Sequence, residues 1–149
     1  MNEQQNIELI KQAYDAYKRG DIQQLLACVD DQVEWELPET PGVPFTGKRR
    51  GCEPVREVFR IQQQLLTVRE FTVNEFIAQG NKVVVLGHGA WTVKDTGQDF
   101  ESDWVDVFTI KDGNIAAYRD FMNTSAALKA FQCEAIPAAP RPATATAPH

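Results

Sequence analysis

Asp106 is the residue whose sequence surroundings point most directly to chemistry. Polar and apolar residues alternate from position 100 to position 110, and the bulkier, less charged set is predicted to face the protein interior: Phe100, Ser102, Trp104, Asp106, Phe108 and Ile110. Asp106 would then lie between two aromatic side chains, where burial disfavours the charged carboxylate and raises the pKa. A carboxylic acid that stays neutral can donate a hydrogen bond to an oxygen on which negative charge develops. The alternative is a structural aspartate that is paired with a buried donor.

Asp120 and His88 are the other candidates for proton transfer. Asp120 shares one face of a predicted strand with Tyr118 and Met122. His88 lies in the middle of another predicted strand, and the pKa of a histidine lets it exchange protons near neutral pH. A single histidine is more often a core residue with satisfied hydrogen bonds than a catalyst. The two aspartates favour the catalytic interpretation, with all three side chains in one site.

The elements that must position these residues are predicted from the periodicity of the apolar side chains. Helical spacing predicts four helices, at 3–19, at 22–29, after Gly51 and at 124–131. Residues of high strand propensity predict five strands, at 32–37, 71–79, 82–94, 100–111 and 114–122. Short turns join the last four strands, which makes neighbours antiparallel. Prolines at 38, 41 and 44 indicate a loop, and the basic run at 48–50 is interpreted as part of a solvated loop.

Helices that are separated in sequence from an antiparallel meander predict an α+β domain. We expect the first three helices to cover one face of a curved antiparallel sheet, which gives a cone-shaped half-barrel. The mouth of such a cone is a natural ligand cavity. The domain is predicted to occupy residues 1–133, and the Ala- and Pro-rich stretch 134–149 is predicted to be a disordered tail.

The composition argues against several classes of function. The chain has 149 residues, with 15 Lys and Arg against 21 Asp and Glu, and this net charge of −6 disfavours binding to nucleic acid or to an anionic membrane surface. No apolar run approaches the roughly 20 residues that cross a bilayer, and the N-terminus lacks the pattern of a signal peptide. The three scattered cysteines fit neither a disulfide framework nor a metal site. We therefore expect a cytoplasmic protein with reduced thiols and no metal, and the lack of a Gly-rich phosphate loop predicts no cofactor.

Several short stretches, in order along the chain, resemble the nuclear-transport-factor-2-like superfamily, in particular its SnoaL-like branch of polyketide cyclases and relatives of ketosteroid isomerase. They are AYKRGD at 16–21, DDQVEWE at 30–36, GKRRG at 47–51, VREVF at 55–59, DVFTIKDGNI at 106–115 and YRDF at 118–121. The resemblance implies the cone-shaped fold described above. It does not imply one activity, because this fold is found in isomerases, cyclases, epoxide hydrolases, dehydratases and binding domains.

Two aspartates correspond, by this resemblance, to catalytic groups. Asp106 falls where ketosteroid isomerase has its oxyanion-hole aspartate. Asp120 falls, within YRDF, where limonene epoxide hydrolase has the aspartate that acts as a base on water, which implies that Asp120 lies in the cavity. That hydrolase has an arginine and an aspartate where this chain has His88 and Ala90. Its Asp-Arg-Asp set is therefore incomplete here, and epoxide hydrolysis is disfavoured.

The first strand has two possible orientations. The comparison with epoxide hydrolase directs Glu34 and Glu36 into the cavity, and Glu36 then falls on the general-base position of ketosteroid isomerase. Strand alternation alone favours the opposite orientation, in which Val33, Trp35 and Leu37 face inward. We take Glu36 as the predicted cavity residue and leave the second orientation open.

Tyr14 lies one residue from the position that corresponds, by this resemblance, to a catalytic tyrosine. The oxyanion-hole tyrosine of ketosteroid isomerase aligns nearest Ala13, so the steroid-isomerase set is incomplete, and Tyr14 is interpreted first as helix core. Tyr14 nevertheless belongs to the six residues predicted to contact a ligand in the cone: Tyr14, Phe59, Trp104, Phe108, Tyr118 and Met122.

These residues together predict an enzyme that performs acid–base chemistry without a cofactor on a small, mostly apolar carbonyl compound. Asp120 or Glu36 would take the proton, His88 would transfer it, and Asp106 would stabilise the oxyanion. Isomerisation, aldol-type cyclisation and dehydration all fit this set. The alternatives are a module that binds an apolar ligand without turnover and a structural dimer domain whose cavity is filled by side chains. Cavity volume, and the number of acids that line the cavity, distinguish these hypotheses.

The outer face of the sheet is predicted to mediate self-association. We expect it to carry Val83, Val85 and Trp91 on one strand and Val105 and Val107 on the next. A contiguous apolar patch of this kind usually marks an interface. A two-fold homodimer through this face is therefore predicted, as the family resemblance also implies.

Overall fold

The computed structural model of this chain describes residues 2–132. Within them lie four helices, α1 (Glu3–Arg19), α2 (Ile22–Leu26), α3 (Cys52–Leu65) and α4 (Thr124–Gln132). Six strands accompany them, β1 (Val29–Leu37), β2 (Gly47–Arg50), β3 (Leu66–Gln79), β4 (Lys82–Val93), β5 (Asp99–Lys111) and β6 (Asn114–Met122). The predicted domain boundary at 133 and the predicted tail at 134–149 lie outside the described residues.

Helix α1 has residues at both ends that suit their positions. Asn2 accepts a hydrogen bond from the Gln5 backbone N–H at 2.8 Å, and the Gln5 side chain accepts one from the Asn2 backbone N–H at 2.9 Å. Gly20 ends the helix with a φ of 72°, a left-handed conformation that favours glycine. Between these ends, Ile10 and Tyr14 lie one turn apart on the buried face of the helix. The helix therefore directs the Tyr14 side chain into the interior.

The strands form one open, curved sheet in the order β2-β1-β6-β5-β4-β3, and the α+β class is confirmed. Strands β3 to β6 form the predicted antiparallel meander. The prediction of a wholly antiparallel sheet is wrong at one pair, because β1 runs parallel to β6 with Trp35 opposite Tyr118. No short turn connects these two strands, so local sequence does not fix their relative direction.

The basic run at 48–50 forms most of strand β2, and its interpretation as a loop is wrong. The strand pairs antiparallel with β1, from Gly47 opposite Leu37 to Arg50 opposite Glu34, and the Arg50 side chain donates a hydrogen bond to the Glu34 carboxylate. Charged residues suit this position because β2 is an edge strand, where charge discourages pairing with another chain. The run has no apolar alternation, so its sequence carried no strand signal.

Strand β4 faces the opposite way from the prediction. Val83, Val85 and Trp91 are buried on the concave side of the sheet and do not lie on the outer face. His88 and Leu86 lie on the outer face instead. The sequence of β4, KVVVLGHGAWTV, is apolar on both faces, so alternation did not favour one orientation.

Helices α1 and α3 pack on the concave face of the sheet and close the cone. Helix α3 buries Val55, Val58 and Phe59, and α1 packs against β3 and β4. Among residues 2–132, no helix combines the length and the apolar character that crossing a membrane requires.

Candidate active site

A cavity of about 120 Å³ lies between the concave face of the sheet and helices α1 and α3. It is lined by all six residues that were predicted to contact a ligand: Tyr14, Phe59, Trp104, Phe108, Tyr118 and Met122. The loop between β1 and β2 contributes Thr40, Val43 and Phe45. The structural-dimer alternative requires a cone that is filled by its own side chains, and this cone is not filled.

Asp106 and Asp120 face each other in this cavity. They are direct partners in the register of the antiparallel strands β5 and β6, and both line the cavity. Asp106 is 4% exposed and Asp120 is 8% exposed. Both aspartates therefore lie where the sequence analysis placed them, because alternation along each strand directs every second side chain inward.

Burial is the largest influence on both carboxyl groups. It raises the pKa of Asp106 well above its ordinary value, and the neighbouring carboxylate of Asp120 raises that pKa further. Burial also raises the pKa of Asp120, but the neighbouring carboxyl group of Asp106 acts in the opposite direction. This arrangement favours a pair that holds one proton, on Asp106, and one charge, on Asp120.

Three tyrosine hydroxyls surround the pair. Tyr14 donates a hydrogen bond to Oδ2 of Asp106. The hydrogen bond from Tyr14 and the nearby hydroxyl of Tyr118 lower the pKa of Asp106 without outweighing its burial. Burial raises the pKa of Tyr14 and of Tyr118 well above the ordinary value, and that of Tyr17 to about 12. The three hydroxyls therefore stay protonated near neutral pH and can donate hydrogen bonds, and Tyr14, which donates one to Asp106, is more than a core residue.

Aromatic rings form much of the cavity wall. Trp35 stacks on Tyr118 with ring centroids 4.0 Å apart, and Trp91 stacks on Phe100 with centroids 5.1 Å apart. All three tryptophans of the chain line the cavity. Such walls favour flat ring systems, and tryptophan fluorescence should report on any compound that binds.

Three residues that line the cavity carry a buried polar atom with no hydrogen-bond partner among the described residues. The atoms are Oδ1 of Asp106, Nε1 of Trp104 and Oε1 of Gln62. Buried polar groups in native proteins are almost always hydrogen-bonded to protein or to water. A polar group of a ligand would provide the partner that Asp106 lacks.

His88 does not share the cavity with the two aspartates, so the prediction that placed it there is wrong. It lies on the outer face of β4, where its Nδ1 is 2.8 Å from Oδ1 of Asp103 and its Nε2 is 3.6 Å from Oε2 of Glu101. The hydrogen bond to Asp103 raises the pKa of His88. The histidine is therefore an ion-pair residue on the outer face, and the sheet separates it from the cavity.

Glu36 also lies outside the cavity, and its predicted orientation is wrong. Its carboxylate is 3.7 Å from the Arg119 Nε on the outer side of the sheet, whereas Trp35 and Leu37 line the cavity. Strand alternation had favoured this second orientation, since it buries the apolar side chains. The family resemblance, which favoured the glutamate, was misleading at this strand.

Further cavity residues were not among the predicted ligand contacts. Tyr17 and Trp91 line the cavity. Tyr17 follows Tyr14 by three positions on α1, so helical spacing was the signal that could have found it. Among residues 2–132, no three His, Cys, Asp or Glu side chains are arranged to hold a metal ion.

Comparison with known proteins identifies similar sequences and structures. The SnoaL-like domain family matches residues 10–118. A search of curated proteins found no match. An NTF2-like protein from Burkholderia xenovorans LB400 is similar in structure, with a TM-score of 0.77 and 30% sequence identity. The match covers 88% of this chain and 98% of that protein.

Two further solved structures have a similar fold and length. An NTF2-like protein from Burkholderia thailandensis E264 is 25% identical, with a TM-score of 0.78, over 89% of this chain and 99% of that one. TerC, co-crystallised with polyporic acid, is 27% identical, with a TM-score of 0.77, over 86% of this chain and 98% of that one.

Proposed function

The chain belongs to the SnoaL-like domain family of NTF2-like proteins, and from this premise we propose that it is an enzyme performing cofactor-independent acid–base chemistry on a small carbonyl compound bound in the cone. The observation that carries the proposal is the pair Asp106 and Asp120. Two titratable groups whose surroundings separate their pKa values supply an acid and a base at the same pH. The cavity places both groups against any compound that enters it.

Asp120 is the proposed base. Its carboxylate takes a proton from the carbon next to the carbonyl group of the substrate, and the C–H bonding electrons move towards the carbonyl oxygen to form an enolate. Asp106 is the proposed acid, whose O–H donates a hydrogen bond to that oxygen and stabilises the negative charge. Return of the proton from Asp120 to a different carbon completes an isomerisation. Attack of the enolate carbon on a second carbonyl of the same molecule forms a C–C bond and an alkoxide, which takes the proton from Asp120 to complete a cyclisation.

The assignment of the two roles follows from their partners. Burial and Asp120 both raise the pKa of Asp106, whereas the neighbouring Asp106 lowers the pKa of Asp120. Tyr14 donates to Oδ2 of Asp106, and within residues 2–132 Oδ1 has no hydrogen-bond partner. Oδ1 is therefore the atom proposed to carry the proton and to contact the substrate oxygen.

The dimensions of the cavity support a flat substrate of about one ring. An apolar cavity of roughly 150 Å³ holds benzene, and the cavity here measures about 120 Å³. The stacked pairs Trp35–Tyr118 and Trp91–Phe100 provide parallel aromatic surfaces. We propose a reducing cytoplasmic setting as well, which the free thiols of Cys28 and Cys52 support.

Exchange of substrate protons with solvent tests the proposal without knowledge of the natural product. Neutral one- and two-ring ketones are incubated with the protein in D2O, and loss of the proton next to the carbonyl is followed by NMR. Asp120→Asn should slow enzyme-dependent exchange by about 10²–10⁴-fold, because it removes the base. Asp103→Asn is the matched control, since Asp103 lies three residues before Asp106 on β5 but faces outward with a 93% exposed side chain.

The same experiment separates catalysis from binding. A ketone that quenches tryptophan fluorescence but shows no exchange above the protein-free rate would favour the non-catalytic binding alternative. Equal exchange by the native protein, Asp120→Asn and Asp106→Asn would contradict the proposed mechanism.

A further inference from the structure

We propose that Trp104 is a positioning residue, seated on Gly87, that holds the ring of Tyr14 so that the Tyr14 hydroxyl stays on Asp106. The inference concerns the cavity on which the proposed function rests, but its test requires neither a substrate nor turnover. Trp104 itself is 4% exposed and lines the cavity.

The indole of Trp104 packs directly against the backbone of Gly87, at a position where any side chain would collide with the indole. A Cβ at this position would lie 2.1 Å from Cζ2 and 2.5 Å from Cε2 of Trp104, and 2.5 Å from the carbonyl oxygen of Thr72. Such contacts are far below those of real Cβ atoms, so the indole can lie flat on β4 only where residue 87 has no side chain. Any larger residue must displace the ring or the neighbouring strand.

Trp104 in turn supports Tyr14. The two rings stack with centroids 5.6 Å apart and planes inclined by 27°, and Phe71 stacks on Trp104 with centroids 5.0 Å apart. Trp104 and Asp106 are successive inward residues of β5. Tyr14 therefore lies across both of them, with its ring on the indole and its hydroxyl on the carboxyl group. Displacement of the indole removes the platform that aligns this hydrogen bond.

The titration of Asp106 reports on this alignment. Four titratable groups act on its carboxyl from the packed elements: Tyr14 and Tyr17 of α1 and Tyr118 and Asp120 of β6. The hydrogen bond from Tyr14 lowers the pKa of Asp106, against the effects of burial and of Asp120. Misalignment of Tyr14 should therefore move the titration of Asp106 to higher pH.

Trp91 provides a matched control. It is also a cavity tryptophan seated on a glycine, since a Cβ at Gly89 would lie 2.3 Å from its Cη2. Its stacking partner is Phe100, at 5.1 Å, and not Tyr14. The same substitution at Trp91 removes a comparable ring from the cavity wall without removing the platform under Tyr14.

The experiment follows the side-chain carboxyl carbon of Asp106 by ¹³C NMR across pH, with the signal assigned by its disappearance in Asp106→Asn. Trp104→Leu should move the midpoint to higher pH, whereas Trp104→Phe, which keeps a stacking ring, should leave it near the native value. Gly87→Ala should move it in the same direction as Trp104→Leu. Trp91→Leu should leave it unchanged.

A native midpoint in both Trp104→Leu and Gly87→Ala, or an equal shift in Trp91→Leu, would show that Trp104 is only core packing. Trp104→Met replaces the leucine variant if the latter does not fold, because the unbranched side chain fills irregular space more readily. Failure of every ketone to exchange would count against the proposed function and leave this titration result intact.

Discussion

Asp106 and Asp120 lie directly opposite each other on the adjacent strands β5 and β6, and both carboxyl groups are buried against the same cavity. Two such groups cannot both ionise without a large electrostatic cost, so they titrate as a pair. Their protonation therefore affects folding stability as well as chemistry.

Asp106→Asn should stabilise the fold at alkaline pH. A carboxyl group whose pKa is raised by folding gives its full contribution to stability below its unfolded pKa of about 3.9, and that contribution is lost as pH rises through the folded pKa. Asparagine keeps the shape and an oxygen acceptor for Tyr14 but cannot ionise. The melting temperature of the variant should therefore exceed that of the native protein at pH 8, and the difference should shrink at pH 5.

A clear loss of stability in Asp106→Asn at pH 8 would show that Asp106 is an ionised structural partner, and the role of hydrogen-bond donor to an oxyanion would be wrong. Asp103→Asn is the control for the substitution itself at pH 8, because that side chain is exposed on the outer face of the same strand, whereas at pH 5 it also removes the partner of protonated His88.

Tyr14→Phe should destabilise the protein by about 1–2 kcal/mol, because it removes a buried hydrogen bond to a carboxyl group while keeping the ring. The loss of this donor should also raise the pKa of Asp106. Urea unfolding at pH 7 measures the change in the free energy of unfolding. Tyr17→Phe serves for comparison, since Tyr17 packs in the same aromatic cluster but Asp106 gains no hydrogen bond from it. Equal stability of Tyr14→Phe and the native protein would contradict the importance of this bond.

Strand β5 was predictable because its two faces differ strongly. Bulky residues alternate with Asp99, Glu101 and Asp103, so only one orientation buries the apolar side chains, and this orientation also buries Asp106. The same reasoning favoured Trp35 over Glu36 on β1, and the structure agrees with it. Alternation was reliable wherever the two faces of a strand differed in polarity.

Strand β4 was not predictable in this way, because both of its faces are apolar. Gly87 gave no indication that it contacts an indole ring, since that ring belongs to Trp104 on the next strand, whereas Gly89 and Trp91 are successive residues on one face of β4. The bond between Tyr14 and Asp106 joins positions 92 residues apart. No local pattern encodes such a contact, and it emerges only when α1 packs across the sheet.

His88→Gln should leave the cavity unchanged and affect stability only at acidic pH. The hydrogen bond to Asp103 raises the pKa of His88, so its contribution is present below the unfolded pKa of about 6.5 and is lost as pH rises through the folded pKa. The variant should therefore melt slightly below the native protein at pH 5 and together with it at pH 9. Altered quenching of tryptophan fluorescence by a bound ketone would instead connect His88 to the cavity.

The outer face of the sheet carries an apolar patch whose composition differs from the prediction. The patch consists of two rows of side chains that are neighbours across adjacent strands, Ile77–Val84–Val107 and Leu86–Val105–Phe121. Ile77 and Phe121 are 47% and 43% exposed. Asp99, Glu101 and Asp103 lie at one end of β5, and Lys111 lies at the other. A two-fold arrangement in which the two β5 strands run in opposite directions would bring the acidic end of each copy against the basic end of its partner.

We propose that this patch mediates a two-fold homodimer, and Val105→Glu should dissociate it. A carboxylate at the centre of the patch would lose its hydration in the interface, and that loss costs several kcal/mol even beside the Arg119 guanidinium, which lies over Phe121. Light scattering at micromolar concentration should give a dimer for the native chain and for Gln79→Glu, an exposed position on the edge strand β3, and a monomer for Val105→Glu. A native monomer, or a Val105→Glu dimer of undiminished affinity, would contradict an interface at this face.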